Sequence, residues 1–388
     1  MYVYFQNVRG LRTKINELFL AVDGSEYDVI VLVETNLDST ITSAQLFGEH
    51  YVVYRNDRDT TNSQKKSGGG VLIAVHRKLP SSLIRCATEG FELVLTRVHI
   101  ANSYLFICAG YIPPELRSNP PFVKRFGDAI CDSLRPAGND DLIVVCGDFN
   151  QANLVWKQSE SSFITADPVS VGPASACLLD NMAMLNLNQF CFVTNPWNHI
   201  LDLVFANTKS CVIAEAAVPL VKIDRPHPPL EITLLVGDSE PLFEHEDTLP
   251  LNYKRIDFAS LNNFLARIDW TEVLTCSDVD VAVQNYTDVI ANWLSSNVPK
   301  KRLPAKPPWG NARLRSLKRE KNACQRHYRR LRTPLFKQRF QTASNAYKSL
   351  NSHLYMQYVD NVQNSLRHNP KRFWNYVNSK RKQNDGIN

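Results

Sequence analysis

The chain has 388 residues, length for about two to three domains at roughly 150 residues each. Hydrophobic residues make up 44% and charged residues 21%, a globular balance that excludes wholesale disorder, and no run approaches the roughly 20 apolar residues of a membrane span. The net charge of +6 conceals an asymmetry: residues 300–388 hold 22 Lys and Arg against the acids Glu320, Asp360 and Asp385, so the preceding 299 residues are net acidic. A basic segment on an acidic body points to a polyanionic partner, or to a solvated, Arg-rich connector. Nine cysteines with no Cys-x-x-Cys pair argue against a disulfide framework or zinc knuckle and for an intracellular, reducing setting.

In chain order, Met1-Tyr-Val-Tyr-Phe lacks the basic, then apolar, pattern of a signal peptide and reads as a first strand. Short β-branched or aromatic runs, bounded by Gly, Asp, Asn or Pro, predict strands at Val29–Val33, Val71–Val75, Leu93–Val98, Leu105–Ile112, Leu142–Cys146, Leu201–Phe205 and Ile232–Val236. Apolar residues three and four apart predict helices at Lys14–Val22, Phe122–Leu134 and Ala176–Leu185. Strands joined only by a turn, as at 93–98 and 105–112, do not fit a pure βαβ sheet and favour paired sheets flanked by helices. The expected organisation is an α/β domain over 1–236, a linker over 237–251 and a helical, basic connector over 252–388. Within the connector, helices are expected at 258–270, 279–298, 312–332 and 335–366, with a Pro-rich break at 302–309.

Polar residues stand at the ends of these strands: Asn7, Glu34, Tyr111, Asp148, Asn150 and Asp202. Loops beyond strand ends are where sites are built, although a single acid there equally fits a helix cap or a solvated turn. The ordered set carries more weight. Gln6-Asn7-Val8-Arg9-Gly10-Leu11, Val33-Glu34-Thr35, Ser67-Gly68-Gly69-Gly70-Val71, Gly110-Tyr111-Ile112-Pro113-Pro114, Gly147-Asp148-Phe149-Asn150, Leu201-Asp202-Leu203-Val204-Phe205 and Pro226-His227-Pro228 span about 225 residues. In this order they resemble the endonuclease/exonuclease/phosphatase superfamily, and more closely the apurinic-type endonuclease domain of non-LTR (LINE/jockey-like) retrotransposons. Pro307-Pro308-Trp309, the basic helices and Asn369-Pro370-Lys371-Arg372-Phe373-Trp374 resemble the stretch joining that domain to a downstream reverse transcriptase, which this chain lacks.

The resemblance implies a four-layer α/β/β/α sandwich, two mixed sheets flanked by helices. It implies a DNA endonuclease that nicks one strand and leaves a 3′-hydroxyl to prime reverse transcription. It assigns Mg²⁺, with Mn²⁺ as a substitute, to Glu34 helped by Asn7. Asp148 would orient or deprotonate the attacking water, Asn150 would hold that water or a phosphate oxygen, and Tyr111 would meet the phosphate. His227 would donate to a non-bridging oxygen or act as base. Its carboxylate partner is open between Asp202, which is preferred, and Asp224, because Pro226 stands where relatives carry Asp beside the His. His199 replaces the usual Ser or Thr three residues before Asp202, and no Trp follows Thr35. Arg9, Arg55, Arg58, Lys65, Lys66 and His199 are candidate contacts to double-stranded DNA, and residues 300–388 to the element's RNA. Synthesis in the cytoplasm and action in the nucleus follow from the same resemblance. Alternatives are an apurinic-site repair endonuclease and a catalytically inactive or domesticated nucleic-acid-binding remnant.

Overall fold

The computed structural model describes residues 1–61, 63, 65, 68–84, 90–100, 103–158, 163–235, 251–275, 279–299 and 307–381. Its strands are β1 (Tyr2–Asn7), β2 (Val29–Val33), β3 (Tyr51–Asn56), β4 (Val71–His76), β5 (Ser81–Ile84), β6 (Glu92–Ile100), β7 (Ser103–Tyr111), β8 (Leu142–Asp148), β9 (Trp156–Gln158), β10 (Ile164–Ala166), β11 (Asn188–Gln189), β12 (Asp202–Ala206), β13 (Cys211–Glu215) and β14 (Leu230–Leu234). Its α-helices are α1 (Ile15–Gly24), α2 (Ser43–Phe47), α3 (Pro120–Leu134), α4 (Pro173–Met184), α5 (Phe258–Leu265), α6 (Trp270–Leu274), α7 (Val279–Asn297), α8 (Ala312–Leu331), α9 (Pro334–Asn364) and α10 (Pro370–Arg381).

Among the described residues the strands form a six-stranded sheet, β13-β14-β1-β2-β4-β3, and an eight-stranded sheet, β5-β6-β7-β8-β12-β11-β10-β9. The period-two alternation of side chains explains the layering. Val3, Phe5, Val29, Val31, Val33, Val71, Ile73 and Val75 point into the core between the sheets. Their neighbours Tyr4, Ile30, Leu32, Leu72 and Ala74 point to the other face, where α1 and α2 cover them with Leu18, Val22, Leu46 and Phe47. On the far face of the second sheet, α3 and α4 contribute Phe122, Phe126, Ile130, Leu178 and Met182 to the core. The helix α3 starts where sequence says it should: Asn119 accepts from the Phe122 N–H at 3.1 Å, followed by Pro120. The result is the four-layer α/β/β/α sandwich, with a helical segment after it.

The chain divides into two compact units, 1–242 with 306–388, and 243–305. The stretch expected as one connector, 252–388, is therefore split. In the smaller unit Phe264 stacks on Trp293 with centroids 6.0 Å apart, Trp270 meets Tyr286 at 5.4 Å, and Trp293 and Val298 are buried. The expected linker lies, except for Leu251, outside the described residues.

Within the larger unit, α8 and α9 pack on the sandwich through side chains that sequence assigned to solvent or to nucleic acid. Arg329 donates to the buried Glu231 of β14 at 2.9 and 3.1 Å, and Arg332 donates to the same carboxylate at 2.9 Å. The Arg329 guanidinium carbon sits 3.6 Å from the centre of the Tyr2 ring. Lys318 and Lys321 donate to the carbonyls of Asp23 and Gly24, and Lys348 to that of Pro219. Trp309, within the stretch expected to contact RNA, donates its indole N–H to Asn351 at 2.7 Å and packs against Phe19 and Tyr355. Periodicity showed that these segments are helical but not which cations they bury.

Glu231 and Arg329 are each about 5% exposed in their side chains. Removing one partner of such a pair leaves an unpaired buried charge, at a cost of about 3–5 kcal/mol. Glu231→Ala, which strands the buried Arg329, is expected to lower stability by that amount in a denaturant melt, and a chain ended at residue 242 to melt well below the full chain. Melting curves that coincide would show that the helical cover contributes nothing to the fold.

Candidate active site

Strand direction brings the polar residues to one edge. β1 and β2 run parallel, as do β7 and β8, with Tyr111 opposite Asp148. Asn7, Tyr111 and Asp148 each end their strand, and Glu34 directly follows β2. β12 runs antiparallel to β8, so its first residue, Asp202, pairs with Asp148. β14 runs antiparallel to β1, which carries the preceding loop and His227 to the same end.

Asn7 bridges two acids: its amide nitrogen donates to Glu34 and to Asp148, each at 2.9 Å. Its oxygen accepts from the Arg9 N–H at 3.1 Å. Asn7 therefore bridges and orients the two carboxylates. Asp148 is fully buried, and its second oxygen accepts from the Asn150 N–H at 3.0 Å. The Asn150 side chain donates to the Ile112 carbonyl at 2.9 Å. Glu34 and Asn150 have φ of +54° and +53°. This left-handed backbone is strained for a residue such as Glu. It is held at Glu34 by the Gly10 N–H donating to the Glu34 carbonyl at 2.7 Å.

His227 resolves the choice of partner. Its Nδ1 lies 3.0 Å from Asp202 Oδ2, and its Nε2 faces Asp148 at 3.7 Å. Asp224 instead forms a surface pair with Arg9 at 3.2 Å and touches His227 only through the backbone. Burial by itself would lower the imidazole pKa. Attraction and the hydrogen bond from Asp202, with Asp148 and Glu34 behind it, outweigh burial and raise it to about 9. The balance favours the imidazolium, in which both nitrogens donate. Burial, then the charge of Asp202, raises the Asp148 pKa, and burial raises that of Asp202 as well. Burial chiefly, then the charges of Glu34 and Asp148, pushes the Tyr111 phenol far up, so it remains a proton donor.

One oxygen each of Glu34 and Asp148 and one nitrogen of His227 lie within 4.8 Å of one another. Glu34, Asp148 and Asp202 around one imidazolium make an electron-rich, acid-excess pocket. Its oxygen donors suit a hard divalent cation, which prefers carboxylates and water. Glu34, Asp148 and His227 each offer one ligand atom to such an ion.

Residues 5–226 match the endonuclease/exonuclease/phosphatase family. The chain belongs to that family. Members of it are divalent-metal-dependent hydrolases of phosphodiester bonds. No curated protein matches the sequence. Similar solved structures include the endonuclease domain of TRAS1, a telomere-specific non-LTR retrotransposon, at 14% identity, TM-score 0.41, covering 61% of this chain and 99% of that one. An AP endonuclease from Archaeoglobus fulgidus is similar at 15% identity, TM-score 0.39, covering 61% and 100%. The catalytic domain of Xenopus laevis APE2 is similar at 15% identity, TM-score 0.42, covering 62% and 96%.

The expected DNA contacts divide. Arg9 and Lys65 are exposed, each in a surface ion pair, with Asp224 and Glu115, and His199 is exposed. Arg55 points inward, pairing with Asp57 and donating to the carbonyls of Ile41 and Asp38, so it shapes loops instead of facing a ligand. Lys66 lies outside the described residues. Sequence reading missed Glu92, which is buried beside Tyr111 and paired with Arg58. The available signal was an acid set inside the apolar run Phe91–Leu95.

Asp202→Asn removes the charge that holds His227, whereas Asp224→Asn removes only a surface pair worth at most about 1 kcal/mol. Asp202→Asn is expected to cut phosphodiesterase kcat at least about 100-fold, and Asp224→Asn less than about threefold. Equal losses in parallel kinetic runs would transfer the role to Asp224.

Proposed function

We propose that this chain is a Mg²⁺-dependent endonuclease that nicks one strand of double-stranded DNA and leaves a 3′-hydroxyl, the end a retrotransposon uses to prime reverse transcription. The observation that carries the reading is the convergence of Asn7, Glu34, Asp148, Asp202 and His227 through side-chain hydrogen bonds of 2.9–3.0 Å at one end of the two sheets. Tyr111 and Asn150 flank them. A bound divalent cation would stabilise charge on the phosphate and the leaving oxygen. Asp148, fixed by Asn7 and the Asn150 N–H, orients or deprotonates the attacking water. His227, held charged by Asp202, donates to a non-bridging phosphate oxygen. Tyr111 presents its phenol hydroxyl to the phosphate, and Asn150 helps to place the water.

Beyond the site, Arg315, Arg319, Arg326 and Arg330 of α8 are exposed, and their spacing puts them on one stripe of the helix. That stripe is a phosphate-binding surface for the element's RNA or the target DNA, and a reverse transcriptase acts in concert with the nuclease in the nucleus. The cations buried under α8 and α9 take no part in it. Among the described residues no helix is long and apolar enough to cross a membrane.

The test is nicking of supercoiled plasmid with Mg²⁺, with Mn²⁺ and with EDTA, followed by extension of the nick by a DNA polymerase. Relaxed circles that require the metal and serve as primers are expected, with Glu34→Gln slower by at least about 100-fold at unchanged melting temperature. Metal-independent cleavage, or nicks that a polymerase cannot extend, would contradict the reading.

A further inference from the structure

A buried ion pair stands behind the carboxylate cluster. Arg58 follows β3 and Glu92 opens β6, with side chains 5% and 1% exposed. Arg58 Nε and Nη2 each lie 2.6 Å from Glu92 Oε1. The pair reaches toward the site at both ends. Glu92 is the cross-strand neighbour of Tyr111, and the Arg58 guanidinium carbon lies 5.8 Å from the Tyr111 ring centre. The other oxygen of Glu92 accepts from the Gly70 N–H at 2.5 Å.

Gly70 and Gly69 in turn accept, through their carbonyls, from the N–H groups of Thr35 at 3.2 Å and Asn36 at 2.7 Å, directly after Glu34. Gly68 donates to the Asn36 side chain at 2.9 Å. The glycines turn at φ of +82°, +57° and +87°, in the left-handed region. A methyl group at Gly69 would overlap both members of the ion pair, and one at Gly70 would lie 2.6 Å from Thr35 Oγ1. The glycine loop is thus moulded between the pair and the strained turn that carries Glu34. For stability alone a buried ion pair is a poor choice, because packed apolar groups of similar volume do as well or better.

We propose that the Arg58–Glu92 pair is a positioning device for the active site. Glu92 fixes the Glu34 carboxylate through Gly70 and Thr35, and Arg58 fixes the Tyr111 ring. The kinetic arm of its test rests on the nuclease reading; the metal arm does not.

The deciding variant is the double substitution Arg58→Met with Glu92→Leu in the full chain, which leaves no orphaned charge and is expected to fold, as judged by melting. Mn²⁺ affinity, read by calorimetry without DNA, is expected to fall about 10-fold, and kcat for nicking about 10–100-fold, with KM for DNA changed less than about twofold. Glu92→Gln keeps an acceptor for the Gly70 N–H but loosens Arg58. It should hold Mn²⁺ affinity within about twofold while kcat still falls about 10-fold, and it serves if the double variant does not fold. Wild-type kcat and Mn²⁺ affinity in the folded double variant, or wild-type kcat in Glu92→Gln, would overturn the proposal. A wild-type chain that binds Mn²⁺ but does not nick would overturn the nuclease reading instead, and the Mn²⁺ affinity of the double variant would then decide alone.

Discussion

The structure depends on the registration of β8 between two neighbours. Its parallel partner β7 sets Tyr111 beside Asp148, and its antiparallel partner β12 sets Asp202 on the other side. A one-residue slip in either pairing would turn these side chains to the opposite face of the sheet. The six-stranded sheet then supplies Asn7 and Glu34 from the parallel ends of β1 and β2. Asn7 joins the two sheets at the site, since it sits on one and donates to Asp148 on the other. The apolar core between the sheets holds that junction in place.

The same registration creates an electrostatic problem. Glu34, Asp148 and Asp202 share a pocket in which burial disfavours the charges of Asp148 and Asp202, and one imidazole offsets only part of the repulsion. Hydrogen bonds from Asn7 and the Asn150 N–H relieve more of it. The remaining excess favours a divalent cation and a phosphate approached through donors. Stored backbone strain at Glu34 is tolerated because the Gly10 and Thr35 bonds on either side fix its turn. Such constrained residues cluster where geometry is functional.

Much of this was legible in the sequence. The continuous run Val29–Val33 reads as a strand buried on both faces, and Asp148 stands at the end of another such run, which locates the site edge. The role of Asp202 was legible only as a preference, because partner choice at His227 depends on contacts between residues 25 apart in sequence. Short strands such as β9, β10 and β11 give no periodic signal at two or three residues. Glu92 was hidden because an acid within an apolar run is recognised only once its cation, 34 residues earlier, is in view. The basic C-terminal segment misled in a different way. Composition shows its charge but not direction, and Arg329, Lys321 and Lys348 turn inward to cap carbonyls and Glu231.

We propose, as the central point, that Glu34 and Asp148, braced by Asn7, hold a hard divalent cation at the ends of β2 and β8. Anomalous diffraction from crystals grown with Mn²⁺ tests it most directly. The account expects one strong peak between the two carboxylates, with oxygen ligands at about 2.1–2.3 Å and Asn7 outside the coordination sphere. A peak elsewhere on the chain, or an ion bound by His227 with Glu34 turned away, would contradict it.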